Sequence, residues 1–397
     1  MNVLMAPASD WYFTKRRGGI YSISYNLVTL LSQYVENIHI IVNNIDTTVH
    51  VPKNVQIYIM GKQDIERANI RDRIFFSWRY YKCVKDILEK YKINIIHHLS
   101  LFIYGKSYNL FSIFERDDYP LIIGPAEMPH EFFEDDYILL RGKNHKVIKL
   151  EFKLIKKFKK AHELLVYPMF EKTLDKSDVV IVVNERTKKE YKKIISNKKI
   201  KVIPVGVDKE TFPFSQPPLN HEILAVGVNI KRKGFDYLIN AMPKILKEYP
   251  DARLHITGGG PRESSLIKLA RRLGVKQHVM FHGYINDEKL VKLYKRCRLF
   301  CHPSLSESFC HTILEAMAAG RPVVSTSTVG SEMVEDGKTG FIVPFKDSEA
   351  IAEAILKIFS DEGLTYKMGV RARNIVEKKY DWNIIAKRYY KIYQELI

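Results

Sequence analysis

Two carboxylates eight residues apart, Glu307 and Glu315, stand in the stretch of this chain richest in groups able to do chemistry. The residues from His302 to Ser325 read as strand, loop, short helix, glycine stop and next strand. Ile313, Leu314, Met317 and Ala318 recur at helical spacing and give the helix a buried face, while Gly320 and Pro322 end it. Glu307 then lies in the loop and Glu315 inside the helix. A carboxylate accepts up to two hydroxyl donors, as a sugar or ribose offers them. The helix start between the two, at Cys310, His311 and Thr312, presents backbone N–H groups that suit a phosphate. One short segment could thus hold both polyol ends and the anionic centre of a nucleotide-sugar. The same pair also fits two solvated carboxylates, one in a loop and one on a helix surface.

Three further segments suit an anion. Gly18 and Gly19 follow the first strand and precede a helix expected near Ile20, where glycine permits tight turns and close backbone approach. They serve either a plain turn or a phosphate contact, and their spacing lacks the G-x-G-x-x-G dinucleotide pattern. Gly227 to Gly234 carries three consecutive cations, Lys231, Arg232 and Lys233, just after a strand. Such cations form charge-assisted bonds with a diphosphate, or else a solvated basic turn. Gly258, Gly259 and Gly260 follow another strand, and with no G-K-[ST] after them they give no support for ATP hydrolysis.

These loops need a scaffold, and the chain supplies one. Short β-branched runs (Val3–Met5, Ile38–Val42, Val55–Ile59, Ile93–Ile96, Leu121–Ile123, Val179–Val183) alternate with amphipathic segments such as Ile20–Tyr34 and Ile65–Tyr91. The rhythm repeats at Ile223–Val226, Leu254–Thr257, Val279–Phe281, Leu299–Cys301, Pro322–Ser325 and Phe341–Val343. That is βαβ patterning, hence an α/β fold of two Rossmann-like domains with parallel sheets. The expected domains are 1–205 on the acceptor side and 206–380 for the nucleotide-sugar, with 381–397 a helix packing back toward the first. Pro213, Pro217 and Pro218 suit an exposed connector. A cleft between the carboxyl edges of the two sheets is the expected ligand site.

Composition narrows the class. An apolar share of 46% supports sizeable cores and excludes a disordered or fibrous chain. Four cysteines in 397 residues are too few for a disulfide scaffold and point to a reducing, cytoplasmic compartment. The N-terminus reads as a buried strand rather than a signal peptide, and no 18-residue apolar run spans a bilayer. The net charge of +18 implies an anionic partner.

The segment from Glu307 to Gly320 resembles the E-x7-E motif of the large retaining glycosyltransferase family with the GT-B fold (group 1, family 4). Other marks of that family stand in order around it: Gly18-Gly19, Ile203 to Asp208, Gly227 with Lys233-Gly234, Gly258 to Pro261, Phe281 to Gly283, Pro303-Ser304 and Glu332 to Gly340. The resemblance covers nearly the whole chain and is strongest from 200 to 345. It implies two Rossmann-like domains facing across a cleft and a donor that is a UDP- or GDP-sugar. It further implies transfer to a hydroxyl of a glycan or lipid-linked acceptor with retention of configuration. Glu307 would contact the transferred sugar, Glu315 the ribose, Lys233 the diphosphate, Gly19 the same region, and backbone at Tyr284 and Ile285 the base. The family's arginine after the glycine is Val228 here, with Arg232 or Lys231 as replacements. Its glycine after Phe309 is Cys310, whose Cβ should crowd a phosphate contact. Relatives place a histidine of the first domain near the sugar, for which His97, His98 and His130 are candidates.

No metal and no other cofactor is expected, because the chain has no D-x-D clamp. Cys297, Cys301, His302, Cys310 and His311 read as buried thiols and neighbours rather than a zinc knuckle. The basic, apolar-interleaved run 141–162 fits either an anionic membrane surface, placing the protein peripherally at the inner face of the cell membrane, or a solvated helix face. A second basic patch spans 186–201. No nucleic-acid reading module appears, so specific nucleic-acid binding is not expected. Rival readings are a sugar-nucleotide epimerase or phosphorylase of the same fold, and a non-catalytic membrane- or polyanion-binding protein.

Overall fold

The computed structural model describes residues 1–5, 12–13, 20–42, 44–45, 49–60, 70–99, 102–103, 119–127, 167–196 and 199–397. Among these, one unit holds the residues up to 127, 167–206 and 382–397, and a second holds 207–381. Elements are numbered in chain order. The candidate residues Gly18, Gly19 and His130 and the basic run 141–162 lie outside the described residues.

The first unit contains β1 (Asn2–Met5), β2 (Tyr12–Phe13), α1 (Ile20–Leu31), β3 (Asn37–Val42), β4 (Asn44–Ile45), β5 (Val55–Ile59), α2 (Ile70–Lys90), β6 (Ile95–His98), β7 (Phe102–Ile103), β8 (Leu121–Glu127), β9 (Val179–Val182), α3 (Glu185–Tyr191) and β10 (Ile200–Val202). Its sheet runs β5-β3-β1-β6-β8-β9-β10, with β7 beside β8, and every pair is parallel. Burial on both faces explains the unbroken apolar strands such as β9, Val-Val-Ile-Val. The strand expected over Ile93–Ile96 lies two residues later, because the Asn94 side chain accepts from Asn2 N at 2.7 Å and closes the preceding turn. The C-terminal helix, Trp382–Leu396, belongs to this unit, and its Tyr390 ring stacks on Tyr34 at 5.2 Å.

The second unit contains β11 (Glu222–Val226), a 3-10 turn (Lys231–Lys233), α4 (Phe235–Glu248), β12 (Arg253–Thr257), α5 (Glu263–Arg272), β13 (Val279–Phe281), α6 (Asp287–Arg296), β14 (Leu299–His302), α7 (His311–Ala318), β15 (Val323–Thr326), β16 (Gly340–Val343), α8 (Ser348–Ser360) and α9 (Glu362–Ile375); the C-terminal helix is α10. Its parallel sheet runs β13-β12-β11-β14-β15-β16. Numbered within the unit this is 3-2-1-4-5-6, the Rossmann order, whose direction reverses between β11 and β14. Ile223, Ala225, Leu254 and Ile256 of the sheet bury against Leu238, Met242 and Ile245 of α4 and Ile351 and Ile355 of α8. Each of the Ile, Leu and Met side chains contributes about 1.5–3 kcal/mol. Asn286, Asp347 and Asp361 cap α6, α8 and α9 by accepting from backbone N–H groups.

The segment around Pro213, Pro217 and Pro218 is exposed in part, as expected, at Phe214, Gln216 and Leu219, but it is also anchored. Phe212 is buried, and two arginines tie the backbone to the C-terminal end of α7. Arg373 donates to the carbonyls of Lys209, Phe212 and Ala318 at 3.3, 3.2 and 2.9 Å. Arg321, fully buried, donates to the carbonyls of Ser215, Ala319, Cys297 and Lys295. Proline breaks regular structure there, but the carbonyls it leaves find cationic donors. Among the described residues no helix is long and apolar enough to cross a membrane.

Candidate functional site

The reversal between β11 and β14 brings two loops together at the carboxyl edge of the second sheet. After Val226 the chain turns at Gly227, whose φ of 153° lies in a region glycine favours. A Cβ there would meet Lys233 Cε at 3.0 Å. Lys233 therefore folds back over the turn that precedes it. Gly234, at φ 64°, ends the 3-10 turn, and a Cβ on it would lie 2.1 Å from Pro303 O in the other loop. Leu305 N donates to Arg232 O at 2.8 Å, locking the two loops together.

Glu307 sits at their junction. Its Oε1 accepts from Lys233 Nζ at 2.6 Å and Ser304 Oγ at 3.1 Å, and Arg232 Nη1 lies 2.8 Å away. Arg232 also donates to Ser306 O at 3.1 Å. The Glu307 side chain is only 10% exposed. Burial pushes its carboxyl up, but Lys233 first and Arg232 next outweigh that and hold it at about 2. His302 is fully buried, and burial followed by the neighbouring Lys233 lowers it to about 3, so it is neutral. Its Nε2 lies 3.3 Å from Cys310 Sγ and 3.9 Å from Glu307 Oε1.

Helix α7 opens beside this cluster. No side chain caps it at Cys310, so its first N–H groups, at His311 and Thr312, have no intrahelical acceptor. The Cys310 side chain is buried at 3% exposure, with its thiol turned onto His302. Burial also lowers His311 to about 4. One turn further along α7, Glu315 Oε2 lies 3.0 Å from Tyr294 Oη, which also reaches Thr312 O at 3.2 Å.

The remaining loops of the second unit complete the edge. Gly258 N donates to Gly283 O at 2.7 Å, joining the loops after β12 and β13. A Cβ on Gly259 would meet the Tyr284 ring at 2.9 Å, and that ring is 73% exposed. Ile285 follows it. Lys231 is exposed. Val228 packs its Cγ1 toward Gly260, which a Cβ would approach at 3.0 Å. The structure thus brings Lys233, Arg232, Glu307 and the start of α7 together, with Glu315 on the same helix and Gly227, Gly259, Tyr284 and Ile285 on adjoining loops.

In the first unit, His97 and His98 do not follow a strand; they are its last two residues, at the carboxyl end of β6 where that sheet's order also reverses. Both are fully buried, and burial lowers each to about 3. His97 lies 2.9 Å from Gly124 O through Nε2 and 2.6 Å from Tyr393 Oη through Nδ1, so both its nitrogens serve packing. Sequence reasoning missed Ser304 as a partner of Glu307 and Tyr294 as a partner of Glu315. Ser304 stood in a quoted motif, whereas nothing marks Tyr294, 21 residues before Glu315 on another helix.

Residues 208–375 match the family described as glycosyl transferases group 1. An uncharacterised glycosyltransferase of Methanocaldococcus jannaschii is 35% identical over 232 residues, 54% of this chain and 59% of that protein. A GDP-mannose-dependent alpha-(1-6)-phosphatidylinositol monomannoside mannosyltransferase of Mycobacterium tuberculosis is 28% identical over 232 residues, 53% of this chain and 60% of that protein. The chain thus spans less than two thirds of the length of these relatives. Sucrose-phosphate synthase of Thermosynechococcus elongatus matches in structure with a TM-score of 0.71 at 19% identity, covering 100% of this chain and 98% of that one. The fold is accordingly GT-B, built of two Rossmann-like domains.

Proposed function

We propose that this chain is a retaining, metal-independent glycosyltransferase that moves a sugar from a UDP- or GDP-sugar to a hydroxyl of a glycan or lipid-linked acceptor. The observation that carries this reading is the convergence of Lys233 and Arg232 on Glu307 beside the uncapped start of α7. A diphosphate placed there meets two cations and helix N–H groups, the preorganised charge that stabilises a departing nucleotide. Glu307 takes the sugar's hydroxyls and Glu315 the ribose, with Tyr284 and Ile285 beside the base. Arg232 fills the place of the cation absent at Val228.

Retention is the part of this reading that the resemblance to the retaining family carries, and the charge on Glu307 fits it. A carboxyl held at about 2 by two cations is too weak a base to deprotonate an acceptor hydroxyl near neutral pH. His302 is buried and already engaged with Cys310. By the family resemblance the leaving phosphate oxygen takes the acceptor's proton instead, and the acceptor arrives on the face the nucleotide leaves. The same weakness of Glu307 as a base argues against an epimerase, which needs an acid/base pair. The phosphatidylinositol acceptor in the name of the mycobacterial relative favours a lipid-linked acceptor here, with the run 141–162 as the membrane contact.

Full-length protein incubated with a panel of UDP- and GDP-sugars and a membrane lipid extract tests the reading. Donor-dependent glycosylated product with the donor's anomeric configuration, lost in Glu307→Ala and Lys233→Ala, is expected. Undiminished activity in both variants overturns the site assignment, and an inverted product overturns retention. Binding to anionic-lipid vesicles unchanged when the lysines of 153–160 become Gln overturns the membrane contact.

A further inference from the structure

A second cluster of chemically able side chains lies at the opposite end of the same sheet, away from the Gly227 loop. Glu222 is the first residue of β11, His255 is the central residue of β12, and Cys297 follows the last turn of α6. A carboxylate oxygen of Glu222, a ring nitrogen of His255 and Sγ of Cys297 all lie within 4.8 Å of one another. His255 Nε2 and Glu222 Oε2 are 3.4 Å apart. His255 is 2% exposed and Cys297 0%.

Two details point to a ligand. His255 Nε2 is buried and has no hydrogen-bond partner, an arrangement that ordinarily costs about 1–3 kcal/mol. The other ring nitrogen, Nδ1, lies 2.9 Å from His282 Nε2, with the two rings stacked at 5.2 Å. With the proton on Nδ1 and donated to His282, Nε2 turns a lone pair toward Glu222 and Cys297. A second imidazole placed to accept from Nδ1 is the kind of outer partner that metal-ligating histidines use.

We propose that Glu222, His255 and Cys297 bind a divalent transition-metal ion, Zn²⁺ foremost, with water as a fourth ligand. One oxygen, one nitrogen and one sulfur donor suit zinc, at bond lengths of about 2.0–2.3 Å. The Glu222–His255 separation already suits a shared ion, and Cys297 Sγ lies within 4.8 Å of both groups, so closure needs the thiol to approach and Arg296 to release Glu222. Arg296 holds Glu222 through bonds of 2.6 and 2.7 Å, and its side chain is 53% exposed. The ion replaces that cation, and the guanidinium moves to solvent. The Cys297 thiol gives its proton to the buffer as the metal–sulfur bond forms. The ion ties β11, β12 and the end of α6 together; it stands apart from the donor loops and does not depend on the transferase reading.

The test is titration of the full-length chain, first freed of metal with a chelator, with Co²⁺ alone. One equivalent should produce a thiolate-to-cobalt absorption band with release of one proton, and Zn²⁺ should then displace the cobalt. Cys297→Ser should lose the band although the other three thiols remain. His282→Gln should weaken binding about tenfold, and Arg296→Gln, which removes the competing cation, should tighten it. A band that survives in Cys297→Ser overturns the site. So does its absence from both the wild type and Arg296→Gln, a result that needs no fold-disrupting variant.

Discussion

Replacing Glu307 by Gln keeps the side chain's shape and removes the charge on which Lys233 and Arg232 converge. In the wild type the carboxyl is held at about 2 against an ordinary 4.5. That difference corresponds to about 3 kcal/mol of stability at neutral pH. The variant also leaves two cations facing one another, with side chains only 15% and 12% exposed, a buried pair broken on one side. Glu307→Gln should therefore unfold more easily than the wild type by about 3 kcal/mol at pH 7. The sign of the pH dependence follows from the depressed folded-state value. The contribution is complete above the unfolded value and drains as pH falls from about 4.5 toward 2. At pH 3 the wild-type advantage should have shrunk to about 1 kcal/mol. Urea unfolding of both proteins, followed by far-UV circular dichroism at pH 7 and pH 3, measures the gap, and titration of all other carboxylates cancels in the difference. A gap that is absent at pH 7, or that stays constant between the two pH values, refutes the reading of Glu307 as a carboxylate held by its cations.

Tyr294→Phe removes the hydroxyl beside Glu315 Oε2, and calorimetric titration should show UDP or GDP binding weakened about fivefold, near 1 kcal/mol; the loss should be smaller for the 2′-deoxy nucleotide, and equal losses would detach Tyr294 from ribose recognition. Arg321→Met strips the donors from the carbonyls of Ser215, Ala319, Cys297 and Lys295 inside the protein; the destabilisation should exceed about 3 kcal/mol, and an unchanged thermal midpoint would show that other donors replace it. Gly258→Ala places a Cβ 2.3 Å from Gly227 O at a φ of 124°, so the Gly227 loop must move; nucleotide affinity should fall while far-UV dichroism stays the same, and unaltered affinity would place the donor elsewhere.

What could be read from the chain alone follows the range of each interaction. A strand such as β9 announces itself because a parallel strand buried on both faces is apolar along its length. Glu307, Glu315 and the start of α7 were legible because they are neighbours along the chain. Contacts between distant residues were not: Ser215 with Arg321, 106 residues apart, and Glu222 with Arg296, 74 apart, carry no local pattern. His97 and His98 end β6 rather than follow it, and the ring of His97 satisfies both nitrogens inside the fold through Gly124 and Tyr393, partners distant in the chain.

The meeting of Lys233 with Glu307 shows how topology supplies what spacing cannot. The two residues are 74 apart, and between them the chain builds two strands on one side of β11 before returning on the other. The chain returns to place β14 beside β11 in parallel, so the loops that leave their carboxyl ends cannot avoid each other. Glycine at 234 then allows the backbones to touch where any side chain would meet Pro303 O. The cations and the carboxylate are thus set by strand order first and by residue type second. A chain with the same loop sequences on a different strand order would keep every motif and lose the site.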